Sequence, residues 1–274
     1  MLYIIRYGEI GLKGLNRPFF ENKLVDNIRC SVGKKTNNFK ILKKQGRIIL
    51  EAEDDVSENL KRVFGIVNFS TAEKASSYEE LKEIVLRLVK AKKFETFRVT
   101  ASRTNKDFQK TSEEVARELG ALIAENTGKR VDLKNFDLNA QIEISDCFYV
   151  FFEKIGCLGG LPVGVEGKVV CFIESTEGFA AAFLAMKRGC EVIFAAPRDF
   201  DFSKISLFSP RELKFIKIRA FGGIEKIAKE ENARAVAVQD RIENIKEYKT
   251  SLFVMRPLIA LDDSELDNIL EKIK

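Results

Sequence analysis

The chain has 274 residues, of which 45% are hydrophobic and 32% are charged, and its formal net charge is +5 at pH 7. These values are ordinary for a globular protein with room for two or three domains, and no apolar run approaches the roughly 20 residues of a membrane span. The chain has no histidine. Nucleophile systems that pair serine or cysteine with histidine are therefore excluded, as is any zinc site that uses histidine.

The cysteines and the charge distribution indicate where the protein works and what it meets. The five cysteines are scattered and form no C-x-x-C pair, which predicts free thiols in a reducing compartment. The first residues form a strand-like run rather than a secretory signal, so we predict a cytoplasmic protein without membrane contact. Residues 1–57 carry 11 lysines and arginines against 7 acidic residues, whereas residues 158–274 carry 18 of each. This asymmetry predicts a polyanionic partner at the amino-terminal end.

The first elements follow a β-α-β-β order. Residues 2–6 read as an apolar strand, and a glycine-rich turn leads into an amphipathic helix over 19–30. Strands over 39–42 and 47–52 come next. This order predicts a small ferredoxin-like domain over residues 1–57.

The predicted hairpin of this domain is strongly basic. Six cations occur between residue 34 and residue 50 without an acid among them: Lys34, Lys35, Lys40, Lys43, Lys44 and Arg47. Two interpretations are open, a solvated face of the hairpin or a surface that contacts phosphates.

The middle of the chain predicts an α-β-α-β region over residues 58–157. A helix over 78–90 has a clear apolar face, and a strand over 94–101 alternates inward and outward residues. We predict that Ser112 caps a second helix, which ends at Gly128. Further apolar runs up to residue 153 add strands to the same region.

Residues 158–274 alternate short apolar strands with helices. Strands are predicted over 169–173, 191–196, 233–238 and 251–254, and helices over 179–188, 212–221, 224–231 and the last residues. This alternation predicts a doubly wound, parallel α/β domain. The polar turn over 174–178 joins a strand to a helix, where backbone amides and the helix dipole favour an anion.

Several motifs give the chain a family resemblance. They are GEIGLKGLNR at 8–17, GGLPVG at 159–164, KRG at 187–189 and RPLI at 256–259. On these motifs the chain resembles the tRNA 4-thiouridine synthetases, whose last domain is a PP-loop domain that binds ATP. The segment FRVTASRTNKDF at 97–108 resembles the THUMP module of RNA-modifying enzymes. The resemblance implies tRNA as the partner and a homodimer as the assembly.

The same resemblance implies which residues bind RNA. Arg103 and Lys106 keep the basic positions of the THUMP segment. Lys13 and Arg17 stand in the amino-terminal motif, and the hairpin adds its own cations. The candidate RNA-binding residues are Lys13, Arg17, Lys43, Lys44, Arg103 and Lys106.

The nucleotide motif of the family is degenerate here. Its S-G-G-x-D-S falls on residues 173–178, which read Ile-Glu-Ser-Thr-Glu-Gly, so only an acid is kept, at Glu177. Lys217 aligns with a family lysine near the nucleotide, although an exposed helical lysine is the other interpretation. Asp240 keeps the acid of a second nucleotide motif. The degenerate nucleotide site is thus Glu174, Ser175, Glu177, Lys217 and Asp240. We expect Glu174 and Glu177 to accept the helix amides themselves.

We therefore predict a tRNA-binding protein related to the 4-thiouridine synthetases that does not carry out ATP-dependent thiolation. No catalytic residue, metal site or cofactor is assigned on this hypothesis. The alternative is an active ATP-dependent tRNA uridine sulfurtransferase with an atypical nucleotide loop, which would need ATP and Mg²⁺. A third hypothesis gives the last domain another RNA-linked or small-ligand function. Whether the chain is an enzyme stays open on sequence alone.

Overall fold

A computed structural model of the protein describes residues 1–104 and 108–273. The chain forms two compact units, each built from separate stretches of sequence. The first unit comprises Met1–Ile5, Ile49–Glu53 and Phe69–Ile155. The second unit comprises Arg6–Ile48, Asp54–Asn68 and Gly156–Lys274. Within the described ranges, no helix combines the length and the apolar character that crossing a bilayer requires.

The regular elements follow the predicted order closely. The strands are β1 (Leu2–Tyr7), β2 (Phe39–Lys44), β3 (Arg47–Ala52), β4 (Ile66–Ala75), β5 (Thr96–Arg103), β6 (Arg130–Val131), β7 (Leu138–Ile144), β8 (Phe148–Phe151), β9 (Ile155–Gly156), β10 (Lys168–Phe172), β11 (Glu191–Ala196), β12 (Lys214–Lys217), β13 (Ala235–Ala237) and β14 (Phe253–Met255). The α-helices are α1 (Arg17–Gly33), α2 (Ser57–Lys61), α3 (Tyr78–Lys90), α4 (Ser112–Thr127), α5 (Glu177–Lys187), α6 (Ser203–Ser206), α7 (Ile224–Glu231) and α8 (Asp263–Ile273).

The first unit is a mixed sheet covered by two helices. Its strands lie in the order β3, β1, β4, β8, β7, β5, β6. β5 is parallel to β7, and β8 is antiparallel to both β7 and β4. α3 and α4 bury one apolar face against the sheet, with Leu81, Val85 and Leu119 packed in the same core as Phe97 and Val150. This burial is the main stabilising term for both helices.

The start of α4 differs by one residue from the prediction. Thr111, not Ser112, is the N-cap: its backbone is extended, and its side chain accepts a hydrogen bond from the amide of Glu114. The Glu114 side chain accepts in return from the Thr111 amide, which completes a capping box. A capping box needs an N-cap residue with an extended backbone and an acid three residues later. Thr111 precedes Glu114 by three residues, whereas the residue at that distance from Ser112 is Val115. Gly128 ends the helix in the left-handed conformation, as predicted.

The second unit contains a five-stranded sheet in the order β12, β11, β10, β13, β14, and every pairing is parallel. Alternate residues of β10 enter different cores. Cys171 packs in the core that contains residues of α5 and α8, whereas Val170 packs in the core that contains residues of α7. Helices therefore cover both faces, and the predicted doubly wound α/β domain is confirmed.

The helix predicted over 212–221 is wrong. Strand β12 runs there instead and pairs in parallel with β11, Ile193 opposite Lys214 and Ala196 opposite Lys217. Its two apolar residues follow the strand period, since Phe215 packs on one core and Ile216 on the other. Four residues are too few for this alternation to stand out in the sequence.

The second unit also holds the helix of the β-α-β-β opening. α1 buries Phe20, Leu24 and Ile28, the face that its spacing predicts. The side-chain amide of Asn27, also buried, donates to the carbonyl of Val163 over 3.1 Å. This order of elements is that of the predicted ferredoxin-like fold.

Candidate functional site

The turn after β10 carries the degenerate nucleotide motif. Ser175 closes it: its hydroxyl oxygen accepts from the amide of Glu177 over 3.2 Å, and its carbonyl accepts from the amide of Gly178 over 3.1 Å. The side chain of Thr176, the N-cap residue of α5, makes no capping hydrogen bond. The amides of the turn therefore need acceptors from elsewhere in the chain.

Gln239 supplies that acceptor. It follows β13, the neighbour of β10 in the sheet, so its side chain leaves from the same carboxyl edge. Its Oε1 accepts from the amide of Glu174 over 3.3 Å and from the amide of Ser175 over 3.1 Å. The same oxygen lies 3.0 Å from the position that a Cβ on Gly178 would take. Two amides at the candidate anion site thus already have a partner.

The expectation that the two glutamates fill this site is wrong. The carboxylate of Glu174 pairs with Lys246, its Oε2 lying 2.8 Å from Nζ. Glu177 lies in the first turn of α5, where an acid suits the helix dipole, but the acceptors for the amides of residues 174, 175 and 177 are the side chains of Gln239 and Ser175. The physical reason is that the side-chain oxygen of Gln239, the residue that follows the adjacent strand, already accepts from the loop amides.

Asp240 anchors the segment that follows Gln239. Its side chain is only 1% exposed. Its carboxylate accepts from the hydroxyl of Tyr248 over 2.7 Å, the amide of Lys246 over 3.1 Å and Nε of Arg256 over 3.1 Å. Burial and the hydrogen bond to Asp240 raise the pKa of Tyr248. The candidate nucleotide residue is therefore committed to holding a loop in place.

Lys217 ends β12 and is not a helical residue. Its Nζ pairs with Asp199 over 2.9 Å, and both side chains are exposed. Pairs of this kind contribute little to stability. The structure thus links Asp240 to Glu174 through Lys246, whereas Lys217 makes a separate surface pair.

The candidate RNA-binding residues of the second unit differ in the groups that they contact. Nζ of Lys13 lies 4.7 Å from the ring centroid of Phe20, and Lys43 donates to Asn22. Lys44 is exposed on β2. Arg17 is held internally, with Nε 2.7 Å from the carboxylate of Glu21. Lys13 and Lys43, whose partners are uncharged, are therefore better placed than Arg17 to contact phosphates.

Arg103 of the first unit positions a loop. Its Nη1 donates to the carbonyls of Phe108 over 2.9 Å and Lys110 over 3.0 Å. The ring of Phe108 packs edge-on against Phe148, with centroids 5.2 Å apart. Lys106 lies outside the described residues. Any effect of Arg103 on a ligand is thus expected to act through this loop.

The geometry defines a class of protein: a ferredoxin-like opening and a THUMP-type unit joined in one chain to a parallel, PP-loop-like domain. Family models support the first two parts, the ThiI ferredoxin-like domain over residues 2–70 and the THUMP domain over residues 75–152. A probable tRNA sulfurtransferase of Thermococcus kodakarensis is 32% identical in an alignment that covers 98% of this chain and 87% of the relative. The chain belongs to the tRNA sulfurtransferase family.

Two further comparisons define the extent of the similarity. A probable tRNA sulfurtransferase of a Thermoanaerobacter species is 38% identical over 70% of this chain and 52% of the relative. The chain thus matches about half the length of that relative. A crystal structure of a 4-thiouridine synthetase–RNA complex with bound ATP matches with a TM-score of 0.85 and 28% identity, over 99% of this chain and 84% of the other.

Proposed function

We propose that this chain binds tRNA and does not itself use ATP to thiolate it. Its family is that of the tRNA sulfurtransferases, and one structural relative is a synthetase in complex with RNA. The basic excess of residues 1–57 suits a polyanion. Lys13, Lys43 and Lys44 are the cations that we expect to meet its phosphates.

The observation that carries the second half of the proposal is the side chain of Gln239. A triphosphate needs the loop amides as donors, and Gln239 already accepts from two of them. Glu177 also brings an acidic side chain to the same turn, where the Glu174 carboxylate is already paired with Lys246. Negative charge there opposes a phosphate rather than holding it. The residues of the turn therefore do not fit ATP, and we derive no catalytic step through it.

The alternative is an active tRNA uridine sulfurtransferase that uses ATP and Mg²⁺. One observation favours it, the similarity over nearly the whole chain to a synthetase that contains ATP. Isothermal titration with ATP and Mg²⁺ separates the two hypotheses. We expect no binding heat at micromolar ligand concentrations, and a micromolar binding event would support the enzyme instead.

A series of variants tests the role of Gln239 in that result. Glu174→Gly with Ser175→Gly restores two glycines but leaves the Gln239 oxygen on the loop amides, so this pair should still not bind ATP. Adding Gln239→Gly removes the competing acceptor and should allow binding of inorganic phosphate or ATP to be measured. If the glycine pair alone binds ATP, Gln239 is not the occupant that matters.

The tRNA half of the proposal is tested by salt dependence. We expect log affinity to fall linearly with log salt concentration, and Lys43→Ala with Lys44→Ala to flatten that slope by about 1.4–1.8, two contacts' worth. Fluorescence anisotropy with labelled tRNA measures both quantities. The matched control is Lys226→Ala with Lys229→Ala, two exposed lysines of α7. Folded wild-type protein that binds no tRNA would refute the proposal.

Two further expectations remain predictions. The homodimer that the family resemblance implies is checked by sedimentation velocity over a range of protein concentrations. The cytoplasmic location is checked by fractionation of native cells, in which the protein and its RNA should be recovered together.

A further inference from the structure

Exposed apolar side chains are concentrated between β1 and the first turn of α1. Leu12 is 88% exposed, Leu15 is 101% exposed and Phe19 is 56% exposed. We call these three residues the apolar patch. Single exposed leucines are ordinary in proteins, but three large apolar side chains within eight residues mark an interaction site.

The backbone beneath the apolar patch is ordered. Ile10 is fully buried and anchors the segment in the protein. Backbone hydrogen bonds form two short 3-10 turns: the Gly11 amide donates to Gly8 over 2.9 Å, the Lys13 amide donates to Ile10 over 3.2 Å, and the Asn16 amide donates to Lys13 over 3.0 Å. Both turns pack against α1. The fold thus keeps Leu12 and Leu15 exposed to water, and the protein loses the stabilisation that burial of each side chain would give.

Two cations contact residues next to the apolar patch. Nζ of Lys13 lies 4.7 Å from the ring centroid of Phe20, the neighbour of Phe19. Nζ of Lys43 donates to the side chain of Asn22. Asn22 is three residues after Phe19 on α1, so the two side chains are neighbours on the helix surface. The surface therefore combines apolar contact area with two fixed positive charges.

We propose that the apolar patch takes unstacked nucleobases of the bound RNA, while Lys13 and Lys43 contact the adjacent phosphates. This inference rests on the proposed tRNA binding and specifies which part of the RNA is recognised. A nucleotide presents an apolar base face beside an anionic phosphate, which is the combination that this surface complements. A second copy of the chain is a poorer occupant. A two-fold contact would place the basic residues 1–57 against their own copy, and like charges oppose that contact.

The test uses the full chain with Leu12→Ser and Leu15→Ser together. We expect affinity for tRNA to fall roughly tenfold, because the two leucines lose the apolar area that a bound base would cover. The slope of log affinity against log salt should not change, since no cation is removed. A short unstructured RNA strand should lose more affinity than a blunt RNA duplex of equal charge.

The control is Leu133→Ser, an apolar residue of the first unit that is 68% exposed. It should bind both RNAs as wild type does, and thermal melting should show all three proteins folded. Unchanged tRNA affinity in the double variant overturns the inference. So does an equal loss for single strand and duplex, or a change only in self-association or in binding to anionic vesicles. Wild-type protein that binds no RNA instead overturns the proposed function, and this inference with it.

Discussion

The amides at the starts of α4 and α5 find their hydrogen-bond acceptors in different parts of the chain. Both helices begin with amides that lack intrahelical acceptors. At α4 the acceptors are local, the side chains of Thr111 and Glu114, which bond to each other's backbone. At α5 two amides of the preceding turn depend on Gln239, 64 residues further along than Ser175.

This difference determines whether a ligand could replace the acceptor at each helix start. A local capping box is self-contained, so a ligand gains nothing by displacing it. The side chain of Gln239 is distant in sequence from the turn, so it can be replaced without changing the residues of the turn. Whether the turn before α5 can hold an anion therefore depends on Gln239 and on Asp240, which fixes the next segment.

The largest expected effect is at Asp240. Asp240→Ala removes the acceptor for the Tyr248 hydroxyl, the Lys246 amide and Nε of Arg256, three hydrogen bonds to one buried carboxylate, so we expect a loss of about 3–5 kcal/mol in the free energy of unfolding. Urea unfolding measures it. Asp199→Ala is the matched control, because it removes only an exposed pair with Lys217 and should cost about 0–1 kcal/mol. Equal losses in the two variants would mean that the buried network does not support this region.

A smaller loss is expected at Gln239. Gln239→Ala leaves the amides of Glu174 and Ser175 without their acceptor, and two partly exposed amides should cost about 1–2 kcal/mol. Added phosphate should recover part of this loss by binding the exposed amides. Gln141→Ala is a control with one side-chain bond to a carbonyl, and its stability should not respond to phosphate. The same phosphate response in wild type would argue against the occupancy by Gln239.

The two helix starts can be compared directly by removing one side chain from each. Thr111→Ala should cost about 1 kcal/mol, the usual value for an N-cap. Glu177→Ala should change stability by less than about 0.5 kcal/mol, because the side-chain acceptors at this helix start are Gln239 and Ser175. Thermal unfolding under identical conditions is sufficient. A larger effect at Glu177 than at Thr111 would reverse the comparison.

The smallest effect is a pH dependence at α4. Hydrogen bonds from the backbone and side chain of Thr111 lower the pKa of Glu114 below its ordinary value of 4.5. A carboxyl whose pKa is lower in the folded state stabilises the fold above the unfolded pKa, and this contribution disappears as pH falls through the folded pKa. Glu114→Gln should thus flatten the decline in melting temperature below pH 4.5. An unaltered acid profile in this variant would remove Glu114 from the capping box.

The same contrast explains what the sequence could predict. α3 was predicted with its exact bounds, since its apolar spacing and its cap, Ser77, are both local. The role of Gln239 could not be read because it depends on two strands becoming neighbours. One signal was available, a polar residue directly after the apolar run over 233–238. A parallel sheet places such a residue beside the turn of the adjacent strand.

The candidate RNA-binding residues show a second limit. Sequence reasoning identified Arg17 from the family motif, but the fold pairs it with Glu21. It also treated Arg103 as a ligand contact, although that guanidinium bonds two loop carbonyls. Basic residue types indicate phosphate binding, but only the fold decides which cations have internal partners. The exposed leucines at 12 and 15 were missed because apolar residues near a turn normally read as core.

The two motifs on either side of the degenerate turn have a steric origin. The Leu161 amide donates to the carbonyl of Lys187 over 2.9 Å, and the Gly164 amide donates to the carbonyl of Gly189 over 2.8 Å. A Cβ on Gly160 would lie 2.2 Å from the Lys187 oxygen. GGLPVG and KRG are thus two halves of one backbone contact, which serves the fold of this domain and not the chemistry of its turn. The two motifs therefore define a scaffold, and the turn over 173–178, which lies between them in the chain, has to be read separately for activity.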